Sequence, residues 1–173
     1  PVSKNIVNMA KIRASYGVLG NENIGEYMYM ATMKRNNMTY SFGNNVVTGS
    51  AVSEFVNKNI AWEKKKSTNV GIDLAMFNNR FEFTAEWYKN TSEDLLYGVP
   101  VPTQTGVSNA TVTMNAASME NSGFEFSATY RNHDHPFKYD ISANLSTLRN
   151  RVTSLGFGTK SYITGAYATY VGK

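Results

Sequence analysis

The chain has 173 residues, with 17 Lys and Arg against 13 Asp and Glu, a formal net charge of +4, 13% aromatic residues and only 17% charged ones. It has no Cys, which excludes a disulfide scaffold and a thiolate metal site, and it has no run of about 18 apolar residues, which excludes a transmembrane helix. Its one basic cluster, Lys64-Lys65-Lys66, sits beside Glu63 and lacks the stripe of cations and stacking aromatics that a nucleic-acid reader uses, so no nucleic-acid partner is expected.

Period-two alternation is the dominant signal, and it places five strands at 9–18, 68–77, 80–90, 121–131 and 137–147. In the first, Ile12, Ala14, Tyr16 and Val18 alternate with Lys11, Arg13, Ser15 and Gly17. The second sets Val70, Ile72, Leu74 and Met76 opposite Gly71, Asp73 and Ala75. The third sets Phe81, Phe83, Ala85 and Trp87 against Glu82, Thr84 and Glu86. Phe124, Phe126, Ala128 and Tyr130 alternate with Glu125, Ser127, Thr129 and Arg131, and Tyr139, Ile141, Ala143 and Leu145 with Asp140, Ser142 and Asn144. No segment reads as a helix. Asn78-Asn79 suits a two-residue hairpin loop, because Asn tolerates the positive φ of a type I′ turn. That loop pairs Met76 with Phe81, Leu74 with Phe83, Ile72 with Ala85 and Val70 with Trp87, so apolar meets apolar throughout.

The connections alternate as well. The turns at Asn78-Asn79 and His133-Asp134-His135-Pro136 are short, whereas 19–67, 91–120 and 150–173 are long. Structureless loops beyond about 12–15 residues are uncommon in compact soluble domains. Short turns at one end, long loops at the other and aromatics near the strand ends follow the plan of an outer-membrane β-barrel. Strand alternation also fits a soluble β-sandwich that binds carbohydrate, and the pattern leaves both open. The first residues carry no leader pattern, which fits a cytosolic chain or an internal piece of a longer one. Read as a whole domain, a chain of this length would bury roughly 68–70% of its unfolded surface around one core.

Several motifs carry a family resemblance. Lys11-Ile12-Arg13-Ala14-Ser15-Tyr16-Gly17-Val18-Leu19-Gly20-Asn21 resembles the strand that enters a long outer loop in the SusC/RagA family of TonB-linked outer-membrane transporters. Trp62-Glu63-Lys64, Asn69-Val70-Gly71-Ile72-Asp73, Asp94-Leu95-Leu96, Val99-Pro100-Val101-Pro102, Glu120-Asn121-Ser122-Gly123-Phe124-Glu125 and Asn150-Arg151-Val152-Thr153-Ser154-Leu155-Gly156 resemble further family signatures, in the family's order. The resemblance implies an all-β fold: antiparallel up-and-down strands forming part of the wall of a large transmembrane barrel, in the C-terminal half of a TonB-dependent transporter. It implies an outer-membrane location, an importer of oligosaccharides or similar nutrients, no catalysis and no cofactor. The implied partners are the rest of the barrel and its plug, outer-membrane lipid, a SusD-like surface lipoprotein, and the TonB complex through parts outside these residues.

On that plan Asp73, Glu82, Glu86, Glu125 and Asp140 line the lumen, and Ile72, Leu74, Phe83, Trp87, Phe126 and Ile141 face lipid. Tyr27, Tyr29, Tyr40 and Tyr97 in the outer loops are candidates for stacking on cargo. A glycosidase is the enzymatic rival. Glu82 and Glu86 stand four residues apart, about 13 Å, too far for a glycosidase pair, whereas Asp73 is diagonal to both. His133 and His135 lack the third and fourth ligands that zinc needs, so no metal is expected.

Overall fold

The computed structural model describes residues 6–22, 24–52, 55–102, 104, 111–134, 136–156, 158–164 and 167–172. It is all-β, with no α-helix among the described residues. The strands are β1 (Val7–Asn21), β2 (Met33–Phe42), β3 (Asn45–Val52), β4 (Glu63–Met76), β5 (Phe81–Pro100), β6 (Thr111–Asn132), β7 (Tyr139–Ser154), β8 (Ser161–Thr164) and β9 (Tyr167–Tyr170). One five-stranded antiparallel sheet has the order β1-β4-β5-β6-β7, while β2–β3 and β8–β9 form separate two-stranded hairpins.

The expected hairpin register is the observed one: Val70 pairs with Trp87, Ile72 with Ala85, Leu74 with Phe83 and Met76 with Phe81. Asn78 and Asn79 take φ of 59° and 63°, and Arg80 N donates to Phe77 O at 3.2 Å, closing the turn. Asn8 Oδ1 accepts from Asn78 N at 2.7 Å, and Arg80 pairs with Asp134, which ties β1 and both short turns together at one end. His135 lies outside the described residues.

Three outer segments differ from the sequence expectation. The stretch 19–67 holds the end of β1, the β2–β3 hairpin and the start of β4. Most of 91–120 is strand, because β5 runs on to Pro100 and β6 begins at Thr111; 150–173 holds the end of β7 and the β8–β9 hairpin. At the other end, the last sheet strand begins at Tyr139 rather than 137. The reason is physical. Where both faces of a ladder meet water, backbone pairing continues without any apolar alternation, so a period-two reading stops early. A register shift between Ser92 and Leu95, with Asp94 at φ 57°, breaks the phase as well.

There is no enclosed core. Among the described residues only Ala75, Val112 and Leu155 are buried apolar side chains, whereas Ile12 is 79% exposed and Leu145 63%. The single-core expectation therefore fails. The sandwich fails with it, since among the described residues no second sheet covers the apolar face. That face is continuous: Ala10, Leu74, Phe83, Ala128 and Ala143 form one hydrogen-bonded row, and Ile12, Ile72, Ala85, Phe126 and Leu145 the next. Its upper edge is oblique. Val18 stands level, through Lys66, Thr91 and Glu120, with Arg151, yet the apolar run of β7 stops at Leu145. The offset is about 20 Å of strand across about 19 Å of sheet, a slope of roughly 45°. Strands of outer-membrane barrels tilt by about 35–45°.

Tyr88 faces Gly123 across the β5–β6 ladder, and a Cβ at position 123 would sit 2.7 Å from the Tyr88 hydroxyl oxygen and run into the Thr147 carbonyl. The ring covers the bare backbone that glycine leaves. Gly123→Ala in the complete polypeptide is expected to destabilise the barrel by about 1–3 kcal/mol. A lower urea midpoint for the heat-modifiable gel band tests this, and an unshifted midpoint rejects the packing.

Candidate functional site

The polar face of the sheet brings together the carboxylates expected to share it. Arg13 on β1 places Nε 2.8 Å from Asp73 Oδ2 and Nη2 3.2 Å from Oδ1, while its Nη1 lies 3.3 Å from Glu86 Oε2. Arg13 reaches across β4 to β5 because the intervening position is Gly71, where a Cβ would come within 3.1 Å of Arg13 Nη2. Glu86 stands directly opposite Glu125, a like-charge pair that repels, and Arg13 offsets one member. Thr84 Oγ1 donates to Asp73 Oδ1 at 3.1 Å. Arg131 Nη1 donates to Glu82 Oε1 at 2.5 Å, and His133 Nε2 lies 2.8 Å from Asp140 Oδ1. All are partly exposed, so solvent screens them and each pair adds little to stability.

The arrangement answers the enzymatic rival. Asp73 stands opposite Thr84, diagonal to Glu82 and Glu86, as the register requires. Both of its oxygens are engaged, and Glu82 and Glu86 are each held by an arginine. With their oxygens taken up by guanidinium and hydroxyl groups, these carboxylates do not form the free, facing pair that glycoside hydrolysis uses. Among the described residues no three His, Asp or Glu side chains cluster as metal ligands.

A second constellation lies at the opposite end from the short turns. There the motif residues of three segments meet around Glu63. Glu63 Oε2 accepts from Asn21 Nδ2 at 2.9 Å, and Oε1 accepts from the backbone N–H of Leu96 at 3.1 Å. The bulge at Asp94 takes that N–H out of the regular ladder, and the carboxylate satisfies it. Asn115 clamps the same region: its Oδ1 accepts from Ala61 N at 2.8 Å, and its Nδ2 donates to Ala61 O and Asp94 O, both at 2.7 Å. Lys64 Nζ pairs with Asp94 Oδ2 at 3.0 Å, and the Trp62 ring lies against Gly20. In the sequence Trp62-Glu63-Lys64, Asp94-Leu95-Leu96 and Gly20-Asn21 stand as separate motifs. Their convergence depends on long-range pairing and on the bulge, and Asn115 carried no local signal.

The four candidate tyrosines are not brought to one place by a common element. Tyr27 and Tyr29 share the turn after β1, Tyr40 lies on β2, and Tyr97 lies opposite Met114 on the β5–β6 ladder. Tyr27, Tyr29 and Tyr40 are 66%, 52% and 72% exposed. Removing the Glu63 carboxylate tests the constellation. In Glu63→Ala the amide of Leu96 is expected to exchange with solvent about tenfold faster while the barrel still assembles. Unchanged exchange in the peptide spanning 94–97 refutes the bridging role.

The geometry can now be set beside known proteins. A family model described as TonB dependent receptor-like, beta-barrel, matches residues 7–172. The TonB-dependent receptor P3 of Formosa agariphila is 34% identical over 163 residues, covering 94% of this chain and 16% of the relative. The TonB-dependent receptor SusC of Bacteroides thetaiotaomicron is 32% identical over 161 residues, covering 91% of this chain and 16% of SusC. Among solved structures, the RagAB peptide importer in its open-open state aligns with a TM-score of 0.79 and 29% identity, over 97% of this chain and 18% of that one. The RagAB peptide transporter aligns with a TM-score of 0.75 and 28% identity, over 99% and 18%. The chain spans only about 16% of the length of the curated relatives it matches. It belongs to the TonB-dependent receptor-like β-barrel family and forms a stretch of outer-membrane barrel wall.

Proposed function

We propose that this chain is a wall segment of a TonB-dependent importer of oligosaccharides or similar nutrients, working with a SusD-like surface lipoprotein. One observation carries the reading: a sheet that is uncovered among the described residues has an oblique apolar band on one face and an ion-paired polar wall on the other. A bilayer supports the first face and a water-filled lumen the second. On this reading Ile72, Leu74, Phe83, Trp87, Phe126 and Ile141 meet lipid, and Asp73, Glu82, Glu86, Glu125 and Asp140 line the lumen. The short turns lie in the periplasm, and the β2–β3 hairpin and the extended β5–β6 ladder stand outside the cell. The similarity to peptide importers widens the proposed cargo to peptides. Tyr27, Tyr29 and Tyr40 are exposed enough to touch either kind of cargo. Transport work comes from TonB, acting on parts of the protein beyond these strands.

Adjacent residues on one strand test the facing. A fluorophore on Ile141→Cys in the complete protein is expected to be quenched by brominated lipid, and one on Ser142→Cys to be spared. The opposite pattern, or equal quenching, rejects the assignment. Leu74→Arg is expected to impair membrane assembly, because Arg at the midplane of a lipid face costs about 2–4 kcal/mol. Normal assembly of that variant, scored by surface proteolysis and heat modifiability, sinks the same claim.

A further inference from the structure

Above the apolar band the same outward face becomes cationic, and its charges are distributed unevenly. The rows continue as Tyr16, Thr68, Lys89, Ser122 and Arg149, then Val18, Lys66, Thr91, Glu120 and Arg151. Each lysine here has an acidic partner: Lys66 meets Glu93 at 2.6 Å, Lys89 meets Glu120 at 2.8 Å, and Lys64 in the next row meets Asp94 at 3.0 Å. Arg149 and Arg151 are exposed and make no ion pair or side-chain hydrogen bond among the described residues. They project from one strand face two residues apart, about 7 Å, beside a small polar hollow lined by Glu120, Ser122, Arg149 and Arg151. The one carboxylate there, Glu120, is already offset by Lys89.

We propose that Arg149 and Arg151 on β7, with Ser122 opposite Arg149 on β6, dock the phosphate of a lipid headgroup in the outer leaflet. The proposal rests on the lipid-facing reading above. Two like charges on adjacent outward positions repel one another, and an external dianion relieves both. Guanidinium forks match phosphate oxygens bidentately, and the Ser122 hydroxyl supplies a neutral donor. Height agrees with this. Arg149 lies four residues beyond Leu145, about 13 Å along the strand and roughly 9 Å in height at a 45° tilt, which is headgroup level. Continuity selects a lipid over a free anion. An amphiphile with its phosphate on the arginine pair lays its chains along Leu145, Ile141 and Phe126, covering apolar surface that a soluble phosphate leaves bare.

The test uses the complete protein in detergent and titrates three probes by native mass spectrometry: lipid A bearing its phosphates, dephosphorylated lipid A, and inorganic phosphate. Wild type is expected to retain the phosphorylated lipid about tenfold better than the dephosphorylated one. Inorganic phosphate at equal concentration is expected not to displace it. The doubly substituted R149Q/R151Q protein is expected to lose that preference, and R149K/R151K to keep only part of it. Equal retention of the two lipids by wild type overturns the proposal without any variant, as does an undiminished preference in a folded R149Q/R151Q protein. Displacement by inorganic phosphate overturns the lipid as ligand. Quenching at position 141 separates the two readings: lost preference with quenching intact sinks the headgroup site alone, and absent quenching sinks the facing itself.

Discussion

Inside a bilayer no water is available to a free N–H or C=O, so every backbone polar group must find its partner within the sheet. The pattern of interruptions follows from that. Across the apolar rows, from Ala10, Leu74, Phe83, Ala128 and Ala143 to Ala14, Val70, Trp87 and Phe124, the ladders run without a shift. Register shifts fall only beyond these rows, between Val7 and Met9 at one end and around Ser92–Leu96 and Ser118–Met119 at the other. Bulges are tolerated where water can satisfy what they release. Where one does release a backbone donor at the outer end, the Glu63 carboxylate takes it.

With no core to bury, side chains contribute differently on the two faces. On the proposed facing, the apolar face needs only to resemble lipid, and residues such as Ile12, Ile141 and Leu145 stay exposed. On that same proposed facing, the polar face keeps charged groups in a confined lumen, where unrelieved repulsion would be costly. It does so by spacing: Gly71 leaves room for Arg13 to reach Glu86, and Gly123 leaves room for Tyr88. Both glycines belong to the signature segments, and both act through a side chain on a neighbouring strand.

That explains what was legible in the sequence and what was not. The five sheet strands and the β4–β5 register could be read because one face is apolar and the other polar, and the side-chain period of two writes that difference directly into residues such as Ile72 and Asp73. On the proposed reading both faces meet water beyond the bilayer, the contrast vanishes, and β2, β3, β8, β9 and the far halves of β5 and β6 leave no periodic trace. The carboxylates fell on one face as parity required. Their arginine partners did not follow from parity, because Arg13 and Asp73 are 60 residues apart and meet only through a strand pairing that spans the β2–β3 hairpin.

The edges of the sheet carry the last consequence. Among the described residues β1 and β7 each have one ladder partner within the sheet, which leaves the other side of strands of 15 and 16 residues without a ladder. At the outer end β7 begins to gain a second partner, where Gly172 N donates to Val152 O at 2.7 Å and the chain turns back alongside it after the β8–β9 hairpin. A sheet that is apolar on one face and open at both edges has no isolated state in which all its backbone groups and its lipid-facing surface are satisfied together. On the proposed reading, closure against further strands supplies the edges, and the bilayer supplies the face. The stability of these 173 residues is therefore a property of the closed barrel, and their length measures a share of its circumference rather than the size of a domain.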